Sequence, residues 1–135
     1  SLVIFIDGDL AITAPITFAD PNRGFLAFIV SGDITIDPAV GGPPDTTTPQ
    51  LEGVYVADGS IQTGASTVSG RERLVARGIF LANQGMSLQR NIGTTDPAVT
   101  NTTTPSELFI YNPGLLFRMP KAMMPMEISW QEVVP

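Results

Sequence analysis

Three short steps in the chain hold its most suggestive polar chemistry: Asp7-Gly8-Asp9, Ser31-Gly32-Asp33 and Asp58-Gly59-Ser60. Each sets carboxylates or hydroxyls on either side of a glycine. Stacked on neighbouring strands, such steps would stand about 4.8 Å apart. Carboxylates that close repel one another unless a cation lies between them, and Ca²⁺ favours clustered oxygen ligands. Asp7, Asp9, Asp33 and Asp58 are therefore the candidate metal ligands, with Ca²⁺ as the candidate ion and no other cofactor implied. The plainer expectation is that these residues face water at bends, where Asp, Ser and Gly are preferred in any case. The regular nonapeptide of Ca²⁺-binding solenoids is absent.

Catalysis has little to work with. The chain contains no histidine and no cysteine, which removes the commonest general base, the commonest metal ligand and the thiol nucleophile. A glycosidase needs two carboxylates roughly 5–9.5 Å apart in a groove. Asp7 with Asp33, or Asp9 with Asp33, would meet that distance, but so would almost any stacked pair. No GxSxG, Walker A, HExxH or GxGxxG pattern occurs. Arg71, Arg73, Arg77 and Arg90 hold more than half of the seven basic residues. They suggest either an anion or carboxylate-sugar site, or neutralisation of acids on adjacent strands. Lys121, the only lysine, would serve an isopeptide cross-link only if buried beside an Asn or Asp and a carboxylate. Asn101-Thr102-Thr103 matches the N-glycosylation pattern, a match expected by chance in a Thr-rich loop.

The elements that position these residues repeat. LVIFIDGDLAIT (residues 2–13) returns as LAFIVSGDITID (26–37), more loosely as GVYVADGSIQT (53–63), and in worn form as LVARGIFLA (74–82). Aligned on Gly8, Gly32, Gly59 and Gly78, the steps are 24, 27 and 19 residues. Periods of roughly 20–50 residues indicate solenoids, propellers or arrays. Within a copy, Ile4, Ile6, Leu10 and Ile12 alternate with their neighbours at strand period, and Phe28, Val30, Ile34 and Ile36 occupy the same columns. Apolar columns in register across copies are what a parallel β-solenoid requires. The fold expected is a short right-handed parallel β-helix; a β-sandwich is the alternative, disfavoured by near-identical strand pairs and long links. The third copy reads out of step, with Val54 and Val56 in outward columns, which predicts a one-residue bulge near Ala57-Asp58. In the fourth, Gly78 could instead mark a bend between LVAR and IFLA, with Met86–Gln89 as a further strand of that coil.

Composition agrees. At 135 residues, 43% hydrophobic and 15% charged, the chain is sized for one domain with a core. A net charge of −6 with scattered basic residues argues against nucleic acid as a partner, because phosphate binding needs clustered Lys and Arg. No run of about 18 apolar residues occurs, so no membrane-spanning helix is expected. Coils span about residues 2–90. Residues 38–49, with four prolines in twelve positions, and 91–105 form long Pro/Thr-rich loops. Residues 106–135 carry Phe109, Tyr111, Phe117, Trp130, Met119, Met123, Met124 and Met126, and read as a capping tail laid along the solenoid or over its last coil. The chain enters its first apolar strand directly from Ser1, so it is expected to be a fragment of a longer chain or to have that edge covered by another subunit.

LVIFIDGDLAIT, GFLAFIVSGDITID, LEGVYVADGSIQTG, LVARGIFLANQGMSLQR and the closing ISWQEVVP resemble, in order and spacing, the C-terminal β-solenoid regions of large uncharacterised bacterial cell-surface proteins. More distantly, the Gly-punctuated strands resemble bactofilins, polymer-forming β-helices. The resemblance implies an extracellular or cell-surface structural and interaction module without catalysis, whose partners are the remainder of a larger surface protein or identical subunits. Two other functions stay open: a carbohydrate- or Ca²⁺-binding module using the Asp residues, with Tyr55 or Tyr111 stacking a glycan, and a filament subunit stacking through its first coil.

Overall fold

The computed structural model describes residues 1–20, 22–65, 72–93 and 103–124. Within these, the chain forms a parallel β-solenoid of about three turns. Each coil contributes a longer and a shorter strand: β1 (Leu2–Ile6) and β2 (Leu10–Ile12), β3 (Leu26–Val30) and β4 (Ile34–Ile36), β5 (Leu51–Ala57) and β6 (Ile61–Gln62), β7 (Leu74–Ala82) and β8 (Met86–Ser87). A ninth strand, β9 (Glu107–Tyr111), extends the larger sheet, whose order is β1-β3-β5-β7-β9; the smaller sheet runs β2-β4-β6-β8. All neighbours in both sheets are parallel. Among the described residues no helix is long and apolar enough to cross a membrane.

Alternation dictates the interior. Ile4, Phe28, Tyr55 and Phe80 stand in one in-register column, and Leu10, Ile34, Ile61 and Met86 in another. All eight core positions expected from the pattern belong to the main cluster: Ile12, Phe28, Val30, Ile34 and Ile36 are buried, while Ile4, Ile6 and Leu10 of the first coil are partly buried. The aromatic column stacks, with ring centroids 5.4 Å apart for Phe28–Tyr55 and 4.9 Å for Tyr55–Phe80; Phe109 closes it edge-on at 5.2 Å. Each such pair adds about 0.5–1.5 kcal/mol beyond the area it buries.

The bulge expected near Ala57-Asp58 does not form. β5 pairs with β3 without interruption, Ala27 to Val54 through Val30 to Ala57. Val54 and Val56 face outward, as their positions require. Val54 is apolar because the outer face there is itself covered: Phe25, Ala27, Val54 and Leu115 form a second core cluster, flanked by Val3, Phe18, Ile79, Met119 and Met123. Leu115 comes from a short helix, α1 (Gly114–Arg118), and Met123 from a 3₁₀ turn at Lys121–Met123. The described part of the tail thus lies along the flank of the coils, and its strand β9 pairs with the last one. Met126 and Trp130 lie outside the described residues.

Gly78 is not a bend. β7 runs unbroken through it, and Gly78 pairs with Gly53 of the coil below. The Gly53 carbonyl occupies the space a Gly78 Cβ would need. The fourth coil turns instead at Asn83-Gln84-Gly85, where Asn83 N–H donates to Ala57 and Gln84 N–H to Gly59, and β8 continues it.

Ile34, 1% exposed at the centre of the smaller sheet, gives a direct test of this packing. Ile34→Asp buries an unpaired carboxylate among aliphatic neighbours and is expected to cost at least about 3 kcal/mol, read as loss of the cooperative transition in urea followed by circular dichroism.

Candidate functional site

The three polar steps stack, as their spacing predicts, and form two columns along one corner. One column runs Asp7, Ser31, Asp58, Asn83. Ser31 Oγ–H donates to Asp7 Oδ1 at 3.1 Å and accepts the Gly8 N–H at 2.8 Å; Asn83 Nδ2–H donates to Asp58 Oδ1 at 3.2 Å. The other column runs Asp9, Asp33, Ser60. Asp9 Oδ1 accepts the Asp33 backbone N–H at 2.8 Å, and Asp33 Oδ1 accepts the Ser60 N–H at 2.6 Å and its hydroxyl at 3.0 Å. Each aspartate of this column ties its own coil to the next one's backbone. The glycine between the columns follows from that tie. A Cβ on Gly32 would strike the Asp9 carboxylate, and one on Gly59 the Asp33 carboxylate. Gly32 and Gly59 do not have positive φ; they are required for close approach rather than for a left-handed turn.

The four candidate metal ligands are thereby divided between two columns, and Asp9 and Asp33 commit an oxygen to backbone amides. Among the described residues no three acidic side chains gather at one point. The Ser60 backbone amide, followed by its hydroxyl, holds the Asp33 carboxyl below the usual carboxylate range.

The arginines part company. Arg90, 6% exposed, spends all five guanidinium N–H groups on carbonyls: Nε on Thr63 (2.7 Å), Nη1 on Pro38 (2.7 Å) and Glu72 (3.4 Å), Nη2 on Asp37 (2.9 Å) and Val40 (3.1 Å). Burial pulls its guanidinium below the usual range, against the opposing pull of Glu107, Glu72 and Asp37. Arg73, also 6% exposed, donates to the Pro105 carbonyl (3.0 Å) and the Thr46 carbonyl (2.7 Å). Both guanidiniums donate to backbone carbonyls, the Glu107 carboxylate being met by the Arg90 backbone N–H at 2.7 Å, and neither forms an open anion site. They fasten loops. Residues 38–49 are consequently an ordered decoration: Val40 is fully buried in the main core, and Gly42 bridges to Arg73 through two backbone bonds. Arg77 alone of the described members pairs with a carboxylate, Glu52 of the coil below. Arg71 and Asn101 lie outside the described residues. Lys121 is exposed, which removes the isopeptide reading.

Two further surfaces stand out among the described residues. The outward column Phe5, Ile29, Val56, Leu81 forms an apolar groove beside the Asp7–Asn83 column. A separate polar cleft of about 410 Å³ is lined by Asn22, Arg77, Tyr111, Asn112, Gly114 and Arg118. Tyr111 is 62% exposed there, whereas Tyr55 is 1% exposed and cannot stack a glycan. Burial, with Glu52 adding to it, raises the Tyr55 phenol far above its usual range. Tyr55 was expected as an exposed ring; with Gly59 set on Gly32 it falls in the inward column of Phe28, which was the available signal.

Two outcomes follow. A depressed Asp33 pKa stabilises the fold above the ordinary carboxylate range, about pH 4, and that contribution is lost as pH falls through the folded-state value. Melting temperatures from pH 7 to 2 should therefore fall less steeply below pH 4 for Asp33→Asn than for the parent, from a lower starting point. Arg90→Met strands five carbonyls, each costing about 1–3 kcal/mol if left unsatisfied. The variant should lose more than about 3 kcal/mol and become cleavable within residues 38–49 under limited proteolysis.

No protein-family model matches this chain, and no match was found among curated proteins or among solved structures. What the molecule does is to be read from its own geometry.

Proposed function

We propose that this chain is a structural and interaction module of a bacterial cell-surface or extracellular protein, one that works by coil-on-coil packing and carries out no catalysis. The observation that carries the reading is the burial gradient at the first coil. Ile4, Ile6 and Leu10 are only partly buried, while their partners one coil on, Phe28, Val30 and Ile34, are between 1% and 9% exposed. Leu2 and Phe5 of the same coil are 55% and 75% exposed. The columns of the core simply continue to this face, so the occupant that fits it is another parallel coil. The surface location rests on the resemblance carried by LVIFIDGDLAIT, GFLAFIVSGDITID, LEGVYVADGSIQTG, LVARGIFLANQGMSLQR and ISWQEVVP. The absence of histidine and cysteine from the sequence, and the commitment of Asp9 and Asp33 to backbone amides, support a non-catalytic role.

An edge strand of this length and polarity is a template for association. Light scattering on the purified chain over a dilution series should show self-association that rises with concentration, is indifferent to Ca²⁺ and is abolished by Ile4→Lys with the fold retained. A monomer at every concentration, with no response to Ca²⁺, would rule out coil stacking at this face and leave a passive surface domain. Growth that requires Ca²⁺ would overturn the proposal and shift the function to the Asp columns.

A further inference from the structure

We infer that the apolar groove on the outer face of the larger sheet is the seat of the chain's own closing residues, 125–135, which lie outside the described residues. The groove follows the in-register column Phe5, Ile29, Val56, Leu81 across four coils and has a volume of about 760 Å³. Phe5 and Leu81, at its two ends, are exposed. A continuous apolar strip of this kind marks a contact surface.

The neighbouring column shows how this face is covered. Val3, Ala27, Val54 and Ile79 stand two residues earlier on the same four strands, and on the same side of the sheet, because side chains alternate along a strand. That column packs with Leu115 of α1 and with Met119 and Met123. Val56 belongs to both surfaces: it lines the groove and packs against that cluster. The last described residue is Met124, directly after Met123. The residues that follow therefore begin within reach of the groove.

Their sequence fits it. In Met126-Glu127-Ile128-Ser129-Trp130 apolar and polar residues alternate, which in an extended backbone makes one apolar edge and one polar edge. Four residue steps of extended chain cover about 13 Å, and the three spacings between four coils about 14 Å. One pass of this segment across the strands thus matches the length of the column. Glu127 falls on the edge opposite Met126, Ile128 and Trp130, which spares its carboxylate the cost of an apolar seat. Seated there, the segment completes for the larger sheet the cover that α1 begins.

Trp130 is the only tryptophan, so its fluorescence reports the seat directly. The test follows emission from the whole chain over a dilution series, where readings at the lowest concentration do not depend on stacking at the first coil. Emission is expected to be blue-shifted from that of the urea-unfolded chain at every concentration. The double variant Phe5→Lys with Leu81→Lys changes only exposed positions, and should move the emission to the unfolded value with the circular dichroism spectrum unchanged. Ile128→Asp should do the same from the side of the segment. Leu88→Lys, at an exposed position outside the groove, should change nothing. Emission at the unfolded value in the parent, or a blue shift that survives the double variant or Ile128→Asp, would overturn the assignment. So would a blue shift lost equally in Leu88→Lys, or one that appears only as concentration rises, which would put Trp130 against a second copy.

Discussion

No coil of this protein can bury its own apolar residues. Each presents one row of inward side chains on two short strands, and that row is covered only when the next coil lies on it in register. This dependence governs the rest of the structure. It explains why the strands are parallel, why the columns hold similar side chains from coil to coil, and why burial is deepest in the second and third coils. A one-residue slip would turn the whole inward row outward. Register is accordingly enforced twice: by the packed columns, above all the Phe28–Tyr55–Phe80 stack, and at the bend by Asp9 and Asp33, each of which grips a backbone N–H of the following coil.

Buried charge is used here as a fastener. Arg90 and Arg73 reach from the last coil into loops that have no secondary structure of their own, and supply donors to carbonyls that would otherwise be buried and unpaired. A guanidinium suits the task because it carries five donors in a fixed plane and remains protonated when partly desolvated. Residues 38–49 are thus part of the folded body.

The solenoid was legible because its signal is long and redundant: eight alternating apolar positions in two copies repeat the same statement. The third and fourth copies were harder for physical reasons. Alternation reveals which residues share a face, but it does not say which face is inside when both are covered. Val54 and Tyr55 are both buried, on opposite sides of one sheet, so the out-of-step appearance of the third copy had no counterpart in the backbone. In the fourth coil the bend is Asn83-Gln84-Gly85, without the central glycine, and Gly78 offered a stronger but misleading mark. The candidate site divided in a similar way. The polar columns could be foreseen from local spacing. The cleft that joins Arg77 to Tyr111 and Arg118 could not, because it depends on where α1 comes to rest.

The two corners of each coil are built to different rules. The bends that follow β1, β3, β5 and β7 are all three residues long, whereas the returns that follow β2, β4 and β6 take 13, 14 and 11 residues. The first corner is clamped by the aspartate ties and has no slack; the second absorbs any length the chain supplies. Such a molecule can gain or lose surface by insertion at one corner without altering its interior. New loops there would be a low-cost source of diversity, carried on a cross-section that stays the same.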